Sequence, residues 1–268
     1  NWNLATCPNP DAEHHGTTLN IGEMRKDYSF ECSHCGEKIY LTDVFRLHEV
    51  IDNELGAGGI LGYLTTLIEQ IILIHLIRLV LKTKPSLLNE ILFIKDGPLA
   101  FFGQTANMHK PMRELTNYLL EEHNLFLAGL EKSGAFVEHA DEISGRLKAG
   151  EILLLDNDYI YRYIIPGKAD PDKPYARTSY YGGKLIYKSK DKRVYVVTVP
   201  VGDEKVVLSP QKEDFTNIDV ILHNIEKLKC DMYDSSLIPV ALVNKLVSLA
   251  DHPSSVILEK FTKTSISK

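Results

Sequence analysis

Short apolar runs of strand length alternate with amphipathic segments through the middle of the chain. Each run is rich in Ile, Leu or Phe and is bounded by charged or turn-forming residues, which is typical of buried β-strands. The pattern predicts strands over 90–96, 125–130 and 151–155 and helices over 107–123 and 136–148. Strand, helix, strand, helix, strand is the element order of an α/β fold.

A predicted hairpin follows in the second half of the chain. Two strand-like runs, 184–188 and 193–200, flank a charged turn at 190–192. The segment before them is rich in Pro, Tyr and Lys, and aromatic residues interleaved with basic ones can stack on bases and neutralise phosphates. The alternative interpretation is one face of an exposed hairpin. Further helices are predicted over 214–227, after Pro239 into Ala250, and over 254–264.

The most apolar stretch, 60–81, has the length of a membrane span. Glu69 and Gln70 lie near its middle, and a charge at the centre of a bilayer costs about 2.5–3.5 kcal/mol on insertion scales. We therefore expect a buried core helix and no membrane span. Glu69 on such a helix needs a partner, either a salt bridge or a metal ion shared with Asp96.

The polar N-terminal segment is predicted to form a zinc-ribbon-like unit. Cys32 and Cys35 form a C-x-x-C pair followed by glycine, and Cys7 lies upstream, close in sequence to His14 and His15. Three thiolates and one imidazole make a tetrahedral structural zinc site. The spacing leaves open which histidine is the fourth ligand. The alternative is a loop that carries free thiols.

Composition and charge narrow the class of protein. Apolar residues make up 44% of the chain and charged residues 25%, as in ordinary soluble globular proteins. The formal net charge of −6 excludes a basic field over the whole surface, although a local basic groove can still bind nucleic acid. Four cysteines with one C-x-x-C pair favour a reducing compartment, and no signal peptide is recognisable, so we expect a cytoplasmic location. Because the sequence begins with Asn1 rather than Met, we expect residues to be missing upstream.

Asp96 is the most informative acidic residue, because it ends a predicted buried strand and precedes Gly97 and Pro98, which favour a turn. A carboxylate in this position is held rigidly beside the core, as a divalent-metal nuclease requires of a metal ligand. The alternative is an aspartate that only begins a hairpin turn.

Several motifs in this order and spacing resemble the NurA-domain nucleases, in the branch whose domain carries a Cys/His insertion. The resemblance runs from about Cys7 to the C-terminus and is specific only when the motifs are taken together. The motifs are YLTD at 40–43, RLHE at 46–49, LIE at 67–69 with Arg78, KDGPLA at 95–100, LEKSG at 130–134 and KPY at 173–175.

The resemblance implies a zinc-ribbon-like segment over 1–41 and a nuclease domain over 42–268, with an RNase H-like mixed sheet flanked by helices. It implies DNA hydrolysis with Mn²⁺ or Mg²⁺, a homodimer, and a HerA-like hexameric ATPase as partner, in DNA repair or phage defence. The implied catalytic residues are Asp96, Glu69 and Lys132, with Asp96 and Glu69 as ligands of the catalytic metal. The residues expected to contact DNA are Lys173, Tyr175 and Lys184.

Two departures from the family pattern support a second hypothesis. The family's first Asp, in an Asp-Gly-Ser motif, has no counterpart before Cys7. Near the C-terminus, counting from Pro239 places Asn244 where the family has a His. The alternative function is therefore a NurA-like scaffold that binds DNA and the motor without cutting.

Overall fold

The computed structural model describes residues 2–14, 18–21, 28–40, 43, 45, 47, 58–101, 108–168, 172, 180–231 and 236–247. The predicted helix over 254–264 lies outside these residues, and so do most residues of the RLHE motif at 46–49.

Two small antiparallel pairs form the N-terminal segment. Strand β1 (Trp2–Thr6) pairs with β2 (Thr18–Ile21), and β3 (Ser29–Glu31) pairs with β4 (Lys38–Tyr40). The turn between β3 and β4 is closed by two hydrogen bonds, because the N–H groups of Cys32 and Gly36 donate to the carbonyl oxygens of Glu37 and Cys32. This turn carries the C-x-x-C pair.

The main sheet has five strands in the order β5-β6-β9-β8-β7. Strands β5 and β6 are parallel, and every other neighbouring pair is antiparallel. The strands are β5 (Leu92–Asp96), β6 (Phe126–Glu131), β7 (Ile152–Leu155), β8 (Gly183–Lys188) and β9 (Val194–Val199). The expected mixed α/β sheet flanked by helices is confirmed.

The hairpin of β8 and β9 lies in the middle of this sheet. Every residue of both strands is buried, because β8 and β9 have a partner strand on each side and helices cover both faces. The alternative interpretation, one face of an exposed hairpin, was therefore wrong. Periodicity alone does not show where in the sheet a strand lies.

Six α-helices are described around the sheet. They are α1 (Gly58–Thr83), α2 (His109–His123), α3 (Ala135–Ile143), α4 (Asn157–Tyr163), α5 (Ile218–Leu228) and α6 (Ile238–Val247). Helix α2 is the crossover between the parallel strands β5 and β6. It ends at Asn124, which adopts the left-handed conformation and donates its N–H to the carbonyl oxygen of Leu119.

Two helical layers enclose the sheet. On one face, Ile221 of α5 and Val240 of α6 belong to the same apolar cluster as Leu130 and Val197 of the sheet. On the other face, residues of α1 and α2 pack over β5 and β6, and residues of α3 pack over β8 and β9. Alternation along each strand thus assigns consecutive side chains to different layers.

Helix α1 is not the buried core helix that its composition predicted. The described part of the chain buries only Tyr63, Leu67, Gln70 and Ile77 of this helix, whereas Ile72 is 53% exposed. By length and composition alone, α1 is long and apolar enough to cross a membrane, and only 17% of its most apolar window is buried. A helix that is apolar all round gives no pattern from which its buried side can be deduced. The further exposed residues are Leu61, Ile68, Ile71, Leu76 and Leu79.

Gln70 is the polar residue that attaches α1 to the rest of the core. Its side-chain Nε2 donates to the Ala100 carbonyl oxygen at 3.2 Å, and the Tyr181 hydroxyl donates to its Oε1 at 2.6 Å. Both amide atoms are therefore satisfied in a fully buried position, as a buried amide requires.

A charged cluster attaches the end of α5 to the turn between β8 and β9. Asp191 accepts hydrogen bonds from Lys229, at 2.8 Å, and from the Ser189 hydroxyl, and Arg193 lies 3.4 Å away. The hydrogen bond from Lys229 is the main reason that the pKa of Asp191 is lowered to about 2.

We predict that Asp191→Asn destabilises the fold by about 1 kcal/mol at neutral pH, because it removes a charged acceptor from a partly exposed cluster. A carboxyl group with a lowered pKa stabilises the fold fully above its ordinary value of 3.8. This contribution is lost as the pH falls toward 2. Urea unfolding of the two proteins should therefore differ at pH 7 and converge near pH 2.

The control is Asp141→Asn, which changes an exposed aspartate on α3 and should leave stability unchanged at both pH values. An equal effect of the two substitutions would contradict the assigned role of Asp191.

Candidate functional site

Asp96 is the last residue of β5, and the turn after it fixes its position. Gly97 has a φ of +95°, which side-chain-bearing residues rarely adopt, and its N–H donates to the Leu130 carbonyl oxygen at 2.7 Å. The turn packs directly on β6, since a Cβ at Gly129 would lie 2.6 Å from the Gly97 carbonyl oxygen. Glycine at both positions therefore holds the Asp96 carboxylate at the end of the sheet.

The Asp96 carboxylate is paired with Lys132, the residue that follows β6. Lys132 Nζ lies 2.7 Å from Asp96 Oδ2, and the two side chains are 28% and 46% exposed. Because β5 and β6 are parallel neighbours, their carboxyl ends meet at one edge of the sheet, where α/β proteins commonly bind ligands. The structure thus brings together two of the three predicted catalytic residues.

A cavity of about 170 Å³ adjoins Asp96. Asp96 lines it from β5 and Asn244 lines it from α6, so the predicted metal ligand shares one cavity with the residue that departs from the family pattern. The rest of the lining is apolar and comprises Ile94, Pro239, Val240 and Val243. A carboxylate and an amide oxygen are both suitable ligands for Mg²⁺ or Mn²⁺.

Glu69 lies apart from this cavity and forms a salt bridge. Its Oε2 is 3.4 Å from Lys95 Nζ, and the Lys95 ammonium also donates to the Asp96 carbonyl oxygen at 3.2 Å. Lys95 and Asp96 are consecutive strand residues, so their side chains point to opposite faces of the sheet. Of the two partners considered for Glu69, the structure shows the salt bridge, and it does not place the Glu69 and Asp96 carboxylates in one cavity.

Lys184 lies in the protein interior rather than on an exposed strand face. Only 4% of its side chain is exposed, and its Nζ is 2.7 Å from Glu131 Oε1. Burial lowers the pKa of Lys184 to about 8, although the Glu131 carboxylate acts in the opposite direction. Glu131 was not identified from the sequence as the partner of Lys184. A carboxylate at the end of an otherwise apolar strand could have indicated that Glu131 needs a buried cation.

The remaining candidate residues either lie outside the described residues or have a structural role. Lys173 and Tyr175, the other expected DNA contacts, and His15, the alternative zinc ligand, lie outside the described residues. Asp156, the acidic residue that directly follows β7, caps α4 by accepting a hydrogen bond from the Tyr159 N–H at 2.7 Å.

The predicted N-terminal metal site is present as a cluster of four side chains. The ligand atoms of Cys7, His14, Cys32 and Cys35 all lie within 4.8 Å of one another. The Cys7 and Cys35 sulfurs are 3.6 Å apart, and His14 Nε2 is 3.2 Å from the Cys32 sulfur. A tetrahedral zinc ion with Zn–S bonds of about 2.3 Å requires sulfurs about 3.8 Å apart. The cluster can therefore bind a metal such as zinc, with His14 as the fourth ligand.

The metal ligands are continuous with the hydrophobic core. Cys7 and Cys32 are buried in the same apolar cluster as Leu67 of α1, and burial raises the pKa of the Cys7 thiol to about 11. A hydrogen bond from the Glu37 backbone N–H lowers the pKa of the exposed Cys35 thiol. Since zinc binds thiolates, the ion would supply the positive charge that the buried Cys7 needs to ionise.

Comparisons with known proteins add no assignment. No protein-family model, no curated protein and no solved structure matches the chain. Within the described residues, the Cys/His cluster is the only group of three or more acidic, Cys or His side chains whose ligand atoms could hold a metal ion together.

We predict that His14→Ala lowers the affinity for zinc on the order of 100-fold. Structural zinc sites bind with roughly 10–16 kcal/mol, so one of four ligands accounts for about 3 kcal/mol. A zinc titration against a chromophoric chelator measures the change.

The matched control is His34→Ala, because His34 lies beside His14, with ring centroids 5.0 Å apart, but is exposed and outside the ligand cluster. If His34→Ala weakens zinc binding as much as His14→Ala does, the assignment of His14 is wrong.

Proposed function

We propose that this chain is a subunit of a NurA-like, metal-dependent DNA nuclease, and that the pair of Asp96 and Lys132 marks its active site. The observation that supports this most directly is the 2.7 Å contact between these side chains at the ends of two parallel strands, beside a cavity. A carboxylate fixed at a strand end, an ammonium group beside it and an open cavity suit phosphodiester hydrolysis with a divalent cation.

Asp96 and Asn244 are the residues that would hold the divalent cation. Mg²⁺ is commonly bound through one or two carboxylates, with water and substrate phosphates as its other ligands, and the two described oxygen ligands fit that type of site. When bound, the ion supplies a Lewis acid that activates water and neutralises phosphate charge.

The protein side chains around Asp96 have separate roles in this proposal. Lys132 pairs with the Asp96 carboxylate in the structure, and when a cation takes its place at Asp96 the ammonium can donate to a phosphate oxygen of the substrate. Lys95 donates to the Asp96 carbonyl oxygen, and Glu69 holds Lys95 in place, so Glu69 acts through Lys95 as a positioning residue rather than as a metal ligand.

The second candidate function is a DNA-binding scaffold that docks a motor without cutting. Asp96 is the only carboxylate on the described lining of the cavity, and Asn244 provides an amide where an imidazole is expected. Both observations favour a site that lacks full catalytic capacity.

The proposed partners are DNA and a HerA-like hexameric ATPase, with the protein in the cytoplasm in DNA repair or phage defence. Lys173 and Tyr175 remain the proposed DNA contacts. We also propose a homodimer, because the exposed apolar side chains of α1 favour association with a second apolar surface.

We predict that Asp96→Asn lowers Mn²⁺-dependent DNA cleavage on the order of 100-fold or more, because the amide removes the charge that holds the cation. The assay uses the full-length protein on single-stranded, linear and supercoiled DNA, with and without its motor. Zinc content and the thermal unfolding curve should not change.

Asp141→Asn serves again as the control and should cleave like the wild type. Equal cleavage by Asp96→Asn and wild type would remove Asp96 from the active site. DNA binding without cleavage by the wild type, even with the motor present, would favour the scaffold over the nuclease.

We predict that Ile72→Glu converts the dimer to a monomer, because it places a charge on the exposed apolar side of α1. Sedimentation velocity measures the change, and Val220→Glu, at an exposed apolar position of α5, should remain dimeric. A monomeric wild-type protein would contradict the proposed homodimer.

A further inference from the structure

A second cavity lies on the face of the sheet opposite the Asp96 cavity. It has a volume of about 90 Å³ and is lined by three aromatic side chains, Phe136, Tyr161 and Tyr180, together with two polar ones, Asn157 and Lys184. We call it the aromatic pocket. Its remaining lining is apolar, so a ligand could form hydrogen bonds with the Asn157 amide, the Lys184 ammonium and the two tyrosine hydroxyls of the described lining.

The floor of the aromatic pocket is a buried ammonium group. Lys184 Nζ lies 2.7 Å from Glu131 Oε1 and 2.9 Å from the Tyr180 hydroxyl oxygen. It also lies 3.4 Å from the ring centroid of Phe136 and 4.1 Å from that of Tyr180. Burying an ion pair contributes little to stability by itself, because desolvation offsets the attraction. A binding role accounts for its position better than stability does.

A further polar group beside Lys184 is unsatisfied. Thr198 is the cross-strand neighbour of Lys184, so the two side chains share a face of the sheet. The Thr198 hydroxyl is fully buried and has no hydrogen-bond partner in the described part of the chain. The Thr198 hydroxyl behind the pocket can therefore form a hydrogen bond that no described residue supplies.

The chemistry of the pocket selects a neutral, planar ligand. Lys184 and Glu131 together carry no net charge, so an anion such as phosphate gains little from entering. Aromatic walls favour the flat face of a ring, whereas the ammonium and the Asn157 amide favour a ring that carries carbonyl or ring-nitrogen acceptors. Nucleobases combine these properties. The small volume accommodates one ring system, which excludes a base pair.

The pocket is linked to the Asp96 cavity through the end of β6. Glu131 and Lys132 are consecutive residues, and one pairs with Lys184 while the other pairs with Asp96. The two sites therefore share one strand end, although they lie on opposite faces of the sheet.

We propose that the aromatic pocket binds one unpaired nucleobase, with Tyr161 and Tyr180 against the ring and the Lys184 ammonium donating to a carbonyl oxygen of the base. The base is either part of single-stranded DNA or a free nucleoside. The assignment of single-stranded DNA as the source of the base rests on the proposed function.

The test is photocross-linking of the full chain to a single-stranded oligothymidylate that carries one 5-iododeoxyuridine, without Mn²⁺ or Mg²⁺ and without chelator, so that the zinc site stays intact. We expect a cross-link in the peptide that contains Tyr161 or Tyr180. Tyr161→Ala should lower the yield about tenfold, because stacking on an aromatic side chain contributes roughly 1–3 kcal/mol per base.

Tyr163→Ala is the matched control. Tyr163 lies on the same helix, is 55% exposed and does not line the pocket, so the cross-link should persist. Because the Tyr161 ring packs against the backbone at Gly167, Tyr161→Ala could disturb the fold. Ile165→Trp, at a lining position that is 40% exposed, fills the pocket while keeping Tyr161, and it should also abolish the cross-link.

A thermal-shift titration with thymidine distinguishes the two sources of the base. A free nucleoside is the ligand if thymidine stabilises the wild type and Tyr163→Ala but not Ile165→Trp, and if no cross-link to DNA forms. The proposal is overturned if thymidine has no effect and the cross-link either lies outside the Tyr161 and Tyr180 peptides or forms in equal yield in Tyr163→Ala and Ile165→Trp. Since no cleavage is measured, either result is independent of the Asp96 nuclease assay.

Discussion

The turn after β5 lies in direct contact with the backbone of β6, and this contact orders the core around it. Gly129 has no side chain, so the Gly97 carbonyl oxygen can approach β6 closely. This contact sets Asp96 beside Lys132 and directs Leu99 and its neighbours back into the core. The returning chain then supplies the Ala100 carbonyl oxygen to which Gln70 of α1 donates. One close approach therefore positions the candidate site and anchors the longest helix.

The sheet separates two charged pairs that come from one strand end. Lys132 faces the layer of α5 and α6 and pairs with Asp96, whereas Glu131 faces the layer of α3 and pairs with Lys184. The first pair is partly exposed beside a cavity, so a ligand can exchange with it. The second pair is buried among aromatic rings. A ligand that enters there must leave the existing polar contacts of Lys184 largely in place. Adjacent residues of opposite charge thus support two different chemical environments.

The N-terminal segment depends on the same core. Cys7 and Cys32 are buried together with residues of α1 and α2, so a bound metal would stabilise the attachment of this segment as well as its turns. The other side of α1 does not contact this segment: its apolar side chains are exposed, and no described residue covers them. The segment therefore meets the body of the protein through two of the candidate metal ligands and through Ile39 and Phe30 of the β3–β4 pair.

Local patterns in the sequence predicted the five strands of the main sheet, most of the helices and the three cysteines of the candidate metal site, because these follow from periodicity and from spacings within a few tens of residues. They left open whether His14 or His15 completes that site, and they did not predict β1 to β4 or α4. They also identified Asp96 as a carboxylate fixed at a strand end. Long-range packing, in contrast, placed β8 and β9 in the middle of the sheet, set Glu69 and Asp96 on different sides of it, and paired Lys184 with Glu131. Strand order and the burial of a uniformly apolar helix depend on contacts between distant residues, and a local pattern carries no information about those contacts.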